Sequence, residues 1–273
     1  MSLAMILAQA GGGDEGPGCP PPPNDYGTFH DAFDFIVHKR ESVSGGICIG
    51  GPGELWDLTQ THLAVSFVAI AAAILISVPI GLWLGHIGKG EFFAVSVSNV
   101  GRAVPSLALL AFFVAFLGLG FVNIAVVLML LAIPPLLTNT YVGVRQVDPE
   151  TVDAARGIGM TESQIVRKVE MPLALPTMFG GLRLSAVSVV ATATIAPLGN
   201  VNTLGLPIIT PQNYGLAGEI GAAIVVALIT LAVGLAISAV ERAVTPKGLK
   251  LAERRTANRR FSLPTLRRME TNE

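Results

Sequence analysis

The chain has 273 residues, of which 51% are hydrophobic and only 14% are charged, with a formal net charge of −1. A soluble protein carries about a quarter charged residues, so this composition excludes an ordinary soluble domain. It indicates an all-α, polytopic membrane protein.

The first 57 residues are predicted to form a separate extension, partly flexible, on the extracytoplasmic side of the membrane. Leu3–Ala10 is too short to span a bilayer and lacks the basic start of a signal peptide. Gly11–Pro23 is rich in glycine and proline. The only two cysteines, Cys19 and Cys48, would face an oxidising compartment. Their number allows either a disulfide or two unpaired thiols.

Long uncharged runs predict about five transmembrane helices, because about 20 apolar residues cross a bilayer. The predicted spans are Leu63–Gly85, Phe92–Leu117, Val122–Val142, Thr177–Ala196 and Ala217–Val240. They lie in a predicted membrane domain, residues 58–246. Trp56 precedes the first span as an interfacial anchor, and His62 at its mouth is expected to be a polar boundary residue.

A charged segment, Thr151–Pro172, interrupts the apolar sequence. Its first part predicts a short helix over Glu150–Arg156, and Gly159 suits a sharp turn at positive φ. Thr161 then predicts the N-cap of a second short helix, which runs to about Val169 and stops at Pro172. Such a helical hairpin on a membrane face could enter the groove of a partner, or it could simply brace neighbouring helices.

The spacing within this segment resembles the EAA loop of the membrane subunits of binding-protein-dependent ABC importers. In that loop Glu-Ala-Ala is followed by Gly, Ile and Leu-Pro at the same distances, and here Asp, Val and Met replace Glu, Ile and Leu. The resemblance implies a type I ABC importer permease fold, in which a cytoplasmic coupling hairpin binds a separate ATPase. The implied ATPase-coupling residues are Asp153, Ala154, Ala155, Gly159, Val169, Met171 and Pro172.

The distribution of basic residues predicts the orientation. With the hairpin in the cytoplasm, the outer segments hold only Lys39 and Arg40, and the other 16 of the 18 basic residues fall at or near the inner side. The N-terminus is therefore expected outside a bacterial cytoplasmic (inner) membrane and the C-terminus inside. The basic cytoplasmic tail, residues 247–273, would attract anionic membrane lipids and respond to ionic strength, or merely enforce topology. We expect no nucleic-acid partner.

A finer resemblance covers Leu58–Pro246 and is to the permeases that import glycine betaine, choline, carnitine and related quaternary amines. Residues 101–109, 134–140, 147–149, 176–183 and 191–194 carry this match. The loop Ala196–Val201 departs from it, which leaves the outer gate and the solute open. The resemblance implies three kinds of partner: a second permease subunit, identical or sister, an extracytoplasmic substrate-binding protein and two ATP-binding subunits. The assembled importer would move its solute by alternating access.

The chain itself contains no G-x-x-x-x-G-K-[ST] sequence, so ATP hydrolysis must belong to a partner. We expect no enzymatic activity, catalytic residue, metal or cofactor in this subunit, because the spans lack a constellation of His, Asp, Glu or Cys. A secondary transporter or channel would need paired ionisable residues deep in the spans, and the sequence has none. An ABC importer for another small solute, such as methionine, remains an alternative.

A quaternary ammonium is attracted to aromatic faces and to negative charge. The candidate pathway residues are therefore Phe112, Phe113, Phe116, Tyr141 and Glu219, although each phenylalanine is also explained by packing in the core or against lipid. Pro105, Pro134 and Pro135 are candidate hinges or plain packing bends. Arg102 and Arg183 are expected to snorkel or to brace the hairpin.

Overall fold

The computed structural model describes residues 19–20, 27–92, 96, 101 and 103–245. Its elements, in chain order, are α1 Thr28–Val37, β1 Lys39–Glu41, β2 Cys48–Gly50, α2 Gly51–His86, α3 Ser106–Leu117, α4 Phe121–Arg145, α5 Pro149–Gly157, α6 Glu162–Ile165, a π-helical turn Val166–Glu170, α7 Met171–Thr192, a 3₁₀ segment Ala193–Gly199, α8 Leu206–Ile209 and α9 Pro211–Val244. The predictions for Leu3–Ala10, most of Gly11–Pro23, Arg102 and the basic tail lie outside the described residues.

Among the residues that the structure describes, four helical stretches are long and apolar enough to cross a membrane, which confirms the all-α, polytopic fold. They are α2, α4, the continuous stretch Glu162–Gly199 that contains α7, and α9. Both α2 and α9 begin before their predicted spans. In α2 the added turns contain the acidic residues Glu54 and Asp57. A span predicted from apolar residues alone leaves them out, although they belong to the same helix.

The second predicted span, Phe92–Leu117, is wrong as a continuous helix. The chain leaves helical geometry at Val104 and Pro105, and α3 begins only at Ser106. Pro105 has φ −65° and ψ 129°, which is extended, and its ring supplies no amide hydrogen to a preceding turn. The 12 residues of α3 rise about 18 Å, less than the hydrocarbon thickness of a bilayer.

Pro172 does not stop the second helix of the hairpin, contrary to the prediction. The helix continues from Glu162 through a π-helical turn at Val166–Glu170 into α7. Pro172 lies in the first turn of α7, a position that tolerates a residue without an amide hydrogen. The wider π-helical turn before it accommodates the proline. The hairpin is therefore joined rigidly to a membrane-spanning helix.

Helix α4 is central and packs between α2 and α7. Hydroxyl groups from both neighbours donate to its backbone: Ser77 Oγ to the Ile133 carbonyl at 3.4 Å, and Ser185 Oγ to the Ala132 carbonyl at 2.9 Å. Glycines allow close approach, since a Cβ on Gly81 would lie 2.7 Å from the Thr140 Cβ. The three helices thus form one packed unit.

His62 is buried in this unit and is not the boundary residue that the sequence predicted. Its side chain is fully enclosed, and Nε2 lies 2.8 Å from the Val190 carbonyl oxygen of α7. The prediction failed because α2 begins well before the apolar run. His62 therefore lies more than two turns inside a helix that packs against α7.

The N-terminal extension is folded over its described part, where α1 and the β1–β2 hairpin pack on the first turns of α2 and α9. Phe35, Ile49, Leu55, Leu58 and Tyr214 belong to one buried cluster there. The structure joins Cys19 and Cys48 by a disulfide, with Cα atoms 5.9 Å apart.

The buried Arg40 ties this N-terminal part to α9. Its Nη2 donates to the Tyr214 carbonyl at 3.2 Å, and its guanidinium lies 5.2 Å from the centre of the Phe35 ring. Burial lowers the pKa of Arg40 from its ordinary value, although Asp34 and Asp31 oppose the shift.

Candidate ATPase-coupling site and solute pathway

The coupling hairpin, Pro149–Ile165, is shaped by local rules that its sequence carries. Asp148 caps α5 by accepting from the Glu150 amide at 3.0 Å, and Pro149 occupies the first turn. Gly159 has φ 86° and reverses the chain. Thr161 and Gln164 then form a capping box that starts α6, with bonds of 3.4 and 3.0 Å.

The structure places the predicted coupling residues in two groups. Asp153, Ala154 and Gly159 are exposed on the hairpin, while Ala155 is buried beneath them. Val169, Met171 and Pro172 are half-buried at the base, where the hairpin joins α7. The first group is available to a partner, whereas the second supports the junction with the membrane.

Ile158 lies at the end of the hairpin and was missed by sequence reasoning. It is 81% exposed between Gly157 and Gly159, and it is the exposed large apolar side chain of the hairpin. The signal in the sequence was a single β-branched residue between two glycines in a charged loop, a position where an apolar side chain is exposed. Its exposure offers apolar surface to a partner.

Charged side chains connect the two arms of the hairpin. Arg156 Nε and Nη2 lie 3.1 and 3.2 Å from the two carboxylate oxygens of Glu162, a two-point contact. Arg156 Nη1 also lies 3.3 Å from Asp153 Oδ1. The Glu162 carboxylate, followed by Asp153, raises the pKa of Arg156 above its ordinary value. Asp153 is thus held in place within the hairpin.

His86, the last residue of α2, joins the hairpin to the first membrane span. Its Nε2 lies 3.0 Å from Glu162 Oε2 and its Nδ1 lies 2.8 Å from Glu170 Oε2. Glu170 is only 4% exposed, so its carboxylate depends on this contact. His86 thus bridges two carboxylates, one at the start of α6 and one in the π-helical turn.

Sequence reasoning missed His86, Glu162 and Glu170 as a group. The separations of 76 and 84 residues carry no local periodicity. The available signal was topological: His86 ends the first span on the face that also bears the hairpin. A titratable side chain at that end of the span lies close to the carboxylates of Glu162 and Glu170.

The candidate pathway residues fall at opposite ends of the subunit. Phe112 contacts Phe113 and Phe116, with ring centres 5.3 and 4.9 Å apart, close to the start of α4. Tyr141 lies near the far end of α4, about 30 Å along its axis. It is 4% exposed, whereas Phe116 is 71% exposed. Within one subunit these residues form no common aromatic cage.

Glu219 and the prolines occupy separate positions. Glu219 is half-buried in the early turns of α9, on the face of the molecule opposite to the hairpin. Pro134 and Pro135 are buried within α4, which continues through them, and Gly101 packs against the ring of Pro134. Pro105 precedes α3 in a break of the helix.

An open cleft of about 760 Å³ runs between α7 and α9. Its walls are apolar, with residues such as Val187, Ala191 and Leu231, and Arg183 lies at one end. Arg183 Nη1 donates to Ser238 Oγ at 2.9 Å, so this arginine ties α7 to α9 and does not brace the hairpin. None of the predicted aromatic pathway residues lines the cleft.

Comparison with protein families gives one match over most of the chain. Residues 59–248 match the family described as "Binding-protein-dependent transport system inner membrane component". The matched region contains α2 from residue 59 onward, α4, the coupling hairpin, α7 and α9, and leaves α1 and the β-hairpin outside.

Curated relatives align over the same region. The choline transport system permease protein OpuBB of Bacillus subtilis is 34% identical over 204 residues, which cover 72% of this chain and 92% of the relative. The carnitine transport permease protein OpuCB of Listeria monocytogenes is 38% identical over 195 residues, which cover 71% of this chain and 89% of the relative.

A solved structure shares the fold. It is a chain of the MetNI methionine ABC transporter in inward-facing conformations, with a TM-score of 0.61 and 22% sequence identity. The match covers 70% of this chain and 96% of that one. At this identity the likeness shows the fold alone.

Proposed function

The chain belongs to the family of binding-protein-dependent transport system inner membrane components, and on that premise we propose that it imports a small quaternary-amine osmolyte. Members of this family are the permease subunits of ABC importers and are not enzymes themselves. The type I ABC importer permease fold predicted from the hairpin is confirmed.

The observation that carries the mechanism is the double connection of the coupling hairpin to the membrane helices. At its base the hairpin continues without a break into α7. At its side Glu162 and Glu170 bind His86 at the end of α2. A partner that moves the exposed tip therefore moves two spans at once.

ATP binding and hydrolysis on separate subunits would drive this movement. Closure of two ATP-binding subunits would shift the hairpin as a rigid body, and α2, α4 and α7 would follow because they are packed together. ATP and the loaded binding protein would each favour one of two arrangements, which is alternating access in thermodynamic terms. Asp153, Ala154, Gly159 and the newly identified Ile158 would contact the ATPase.

The proposed solute rests on the relatives. Two of them are named for choline and carnitine, and an osmoprotectant import permease of Salmonella typhimurium is 35% identical over 163 residues. Glycine betaine, choline, carnitine and proline betaine share a quaternary ammonium group. Two permease subunits, identical or sister, would bring Phe112, Phe113, Phe116 and Glu219 of each copy to a shared pathway, with Tyr141 supporting it from within.

The proposed setting is the cytoplasmic membrane of a bacterium, with the N-terminus outside and the hairpin inside. The extracytoplasmic binding protein would deliver the solute to the face that bears α1. The buried Pro134–Pro135 pair within α4 would provide a hinge, and Pro105 would uncouple α3 from the helical residues that precede it.

Reconstitution into liposomes with the ATPase and binding protein tests the proposal. We expect ATP-dependent uptake of at least one of glycine betaine, choline, carnitine and proline betaine, and none without the ATPase. Uptake of methionine with none of these amines would refute the solute class. Uptake by the chain alone, without nucleotide, would refute the importer class.

A further inference from the structure

Helix α1 presents three different surfaces along its ten residues. At about 100° per residue, Ala32, Phe35 and Ile36 fall on one side of the helix. Phe29, Phe33 and Val37 fall on the next side, and His30, Asp31 and Asp34 fall on the third. The helix therefore has a packed sector, an apolar sector and a polar sector.

The packed sector fixes the position of α1 against α9. A Cβ on Gly221 would lie 2.9 Å from the Ala32 carbonyl oxygen and 2.9 Å from Phe35 Cδ1, and one on Gly218 would lie 3.4 Å from Phe35. Ile36 packs against the same buried cluster as Val225 and Ile229 of α9. Such close backbone approach leaves α1 little freedom to move away from α9.

The level of this contact along α9 places α1 at the membrane boundary. The first charged residue after the apolar run of α9 is Glu241. A bilayer-crossing stretch of about 20 residues that ends at Val240 begins at Gly221, where Ala32 and Phe35 make contact. Val225 and Ile229 lie deeper within the bilayer. Helix α1 thus lies at the edge of the hydrocarbon, on the face opposite to the hairpin.

The apolar sector is exposed at this level. Phe29 is 77% and Phe33 is 66% exposed, and Val37 extends the same stripe by one turn. The stripe contains no charged side chain. Leu216 and Leu228 of α9 are exposed apolar side chains as well, and Trp56 of α2 is also exposed at this end of the molecule.

We infer that α1 is an interfacial helix, whose Phe29, Phe33 and Val37 insert into the outer leaflet of the lipid bilayer. An amphipathic helix in the plane of the interface needs an apolar face toward the acyl chains and a polar face toward water. The second sector supplies the apolar face, and in the third sector His30 is exposed while Asp31 and Asp34 are half-buried near Arg40. The first sector holds α9. A protein partner would more commonly meet an aromatic patch with a polar rim around it, whereas this stripe lies at the level where α9 enters the hydrocarbon.

Site-specific fluorescence of the full chain in lipid vesicles tests this inference. The chain has two tryptophans, Trp56 and Trp83, and replacing both by phenylalanine gives a silent background. Phe33→Trp then reports on the apolar sector, Phe29→Trp gives a second report, and His30→Trp is the matched control on the polar sector. Phosphatidylcholine brominated in its acyl chains is the quencher from lipid, and iodide is the quencher from water.

We expect brominated lipid to quench the tryptophans at positions 33 and 29 several-fold more than the one at position 30. Iodide should show the reverse order. Equal quenching by iodide at all three positions, without quenching by lipid, would overturn the inference. Protection of positions 29 and 33 only after addition of the soluble binding protein would overturn it too, in favour of a protein contact. Either failure would leave the importer function untouched, because uptake is measured separately.

Discussion

At the scale of single residues, glycine decides how closely the membrane helices approach. Gly81 and Gly85 of α2 face α4, Gly143 of α4 faces α7, and Gly181 of α7 faces α4. At each of these positions an added Cβ would lie closer than 3.3 Å to atoms of the neighbouring helix. Between membrane helices such contacts replace the hydrophobic effect as a source of stability.

The adjacent residues Gly180 and Gly181 give a matched test of this packing. A Cβ on Gly181 would lie 2.9 Å from the Pro135 carbonyl oxygen, whereas one on Gly180 would meet nothing within 4 Å among the described residues. We expect Gly181→Ala to destabilise the protein by about 1–3 kcal/mol through overpacking. Gly180→Ala should be neutral or slightly stabilising, since alanine favours helix. Thermal unfolding in detergent measures both, and equal midpoints for the two variants would contradict the assignment.

Gly159 matters through its backbone and not through space. Its φ of 86° is strained for other residues, although the surroundings of its Cβ position are open. We expect Gly159→Val to cost about 1–3 kcal/mol of local strain and to rotate the two arms of the hairpin. The variant should insert normally yet lose most ATP-dependent uptake in reconstituted liposomes.

Gly157→Val is the control for this effect, because Gly157 is equally open but has no positive φ. We expect it to retain most of its uptake. If Gly159→Val transported as well as Gly157→Val, the turn would have no role in coupling.

At the scale of elements, the contact of His86 with the hairpin tests how movement passes to α2. In His86→Ala, Glu170 keeps a buried carboxylate without its partner, which costs about 1–3 kcal/mol. We expect uptake to fall several-fold while the ATPase still binds and hydrolyses ATP. Parallel assays of hydrolysis and uptake distinguish uncoupling from loss of binding.

Two variants complete this test. The double variant His86→Ala/Glu170→Gln removes the stranded charge, so it should regain stability but not uptake. His38→Ala, which alters an exposed histidine paired with Asp34 on the opposite face, should change neither. Full uptake by the double variant would show that the contact is only structural.

Sequence patterns predicted the elements whose causes are local. The hairpin follows from its caps and from Gly159, and four spans follow from long apolar runs. The failures concern properties that depend on other elements. Pro172 was expected to end a helix, but a π-helical turn accommodates it. The burial of His62 and the pairing of His86 depend on which helices become neighbours, and no local periodicity encodes that.

At the scale of the whole molecule, the two ends of α2 carry different connections. Its first turns hold the disulfide-linked N-terminal part, since Leu55 and Leu58 pack with Phe35 and Ile49 and Glu54 accepts from the Gly50 amide at 2.6 Å. Its last residue holds the hairpin. The 36 residues between them rise about 54 Å, more than the thickness of a whole bilayer. The disulfide and the hairpin must therefore lie on opposite sides of the membrane.

Thiol labelling from each side of the membrane tests this arrangement. Cys19→Ser leaves the exposed Cys48 as the single thiol, and Ile158→Cys in a chain with Cys19→Ser and Cys48→Ser places a single thiol on the hairpin. With a membrane-impermeant maleimide, we expect Cys48 to react in intact spheroplasts and the thiol at position 158 to react only in inside-out vesicles. The variant with both cysteines replaced should remain unlabelled. Labelling of both thiols from one side would contradict the crossing of the membrane by α2, while labelling of each from the opposite side would reverse the orientation that the basic residues predict.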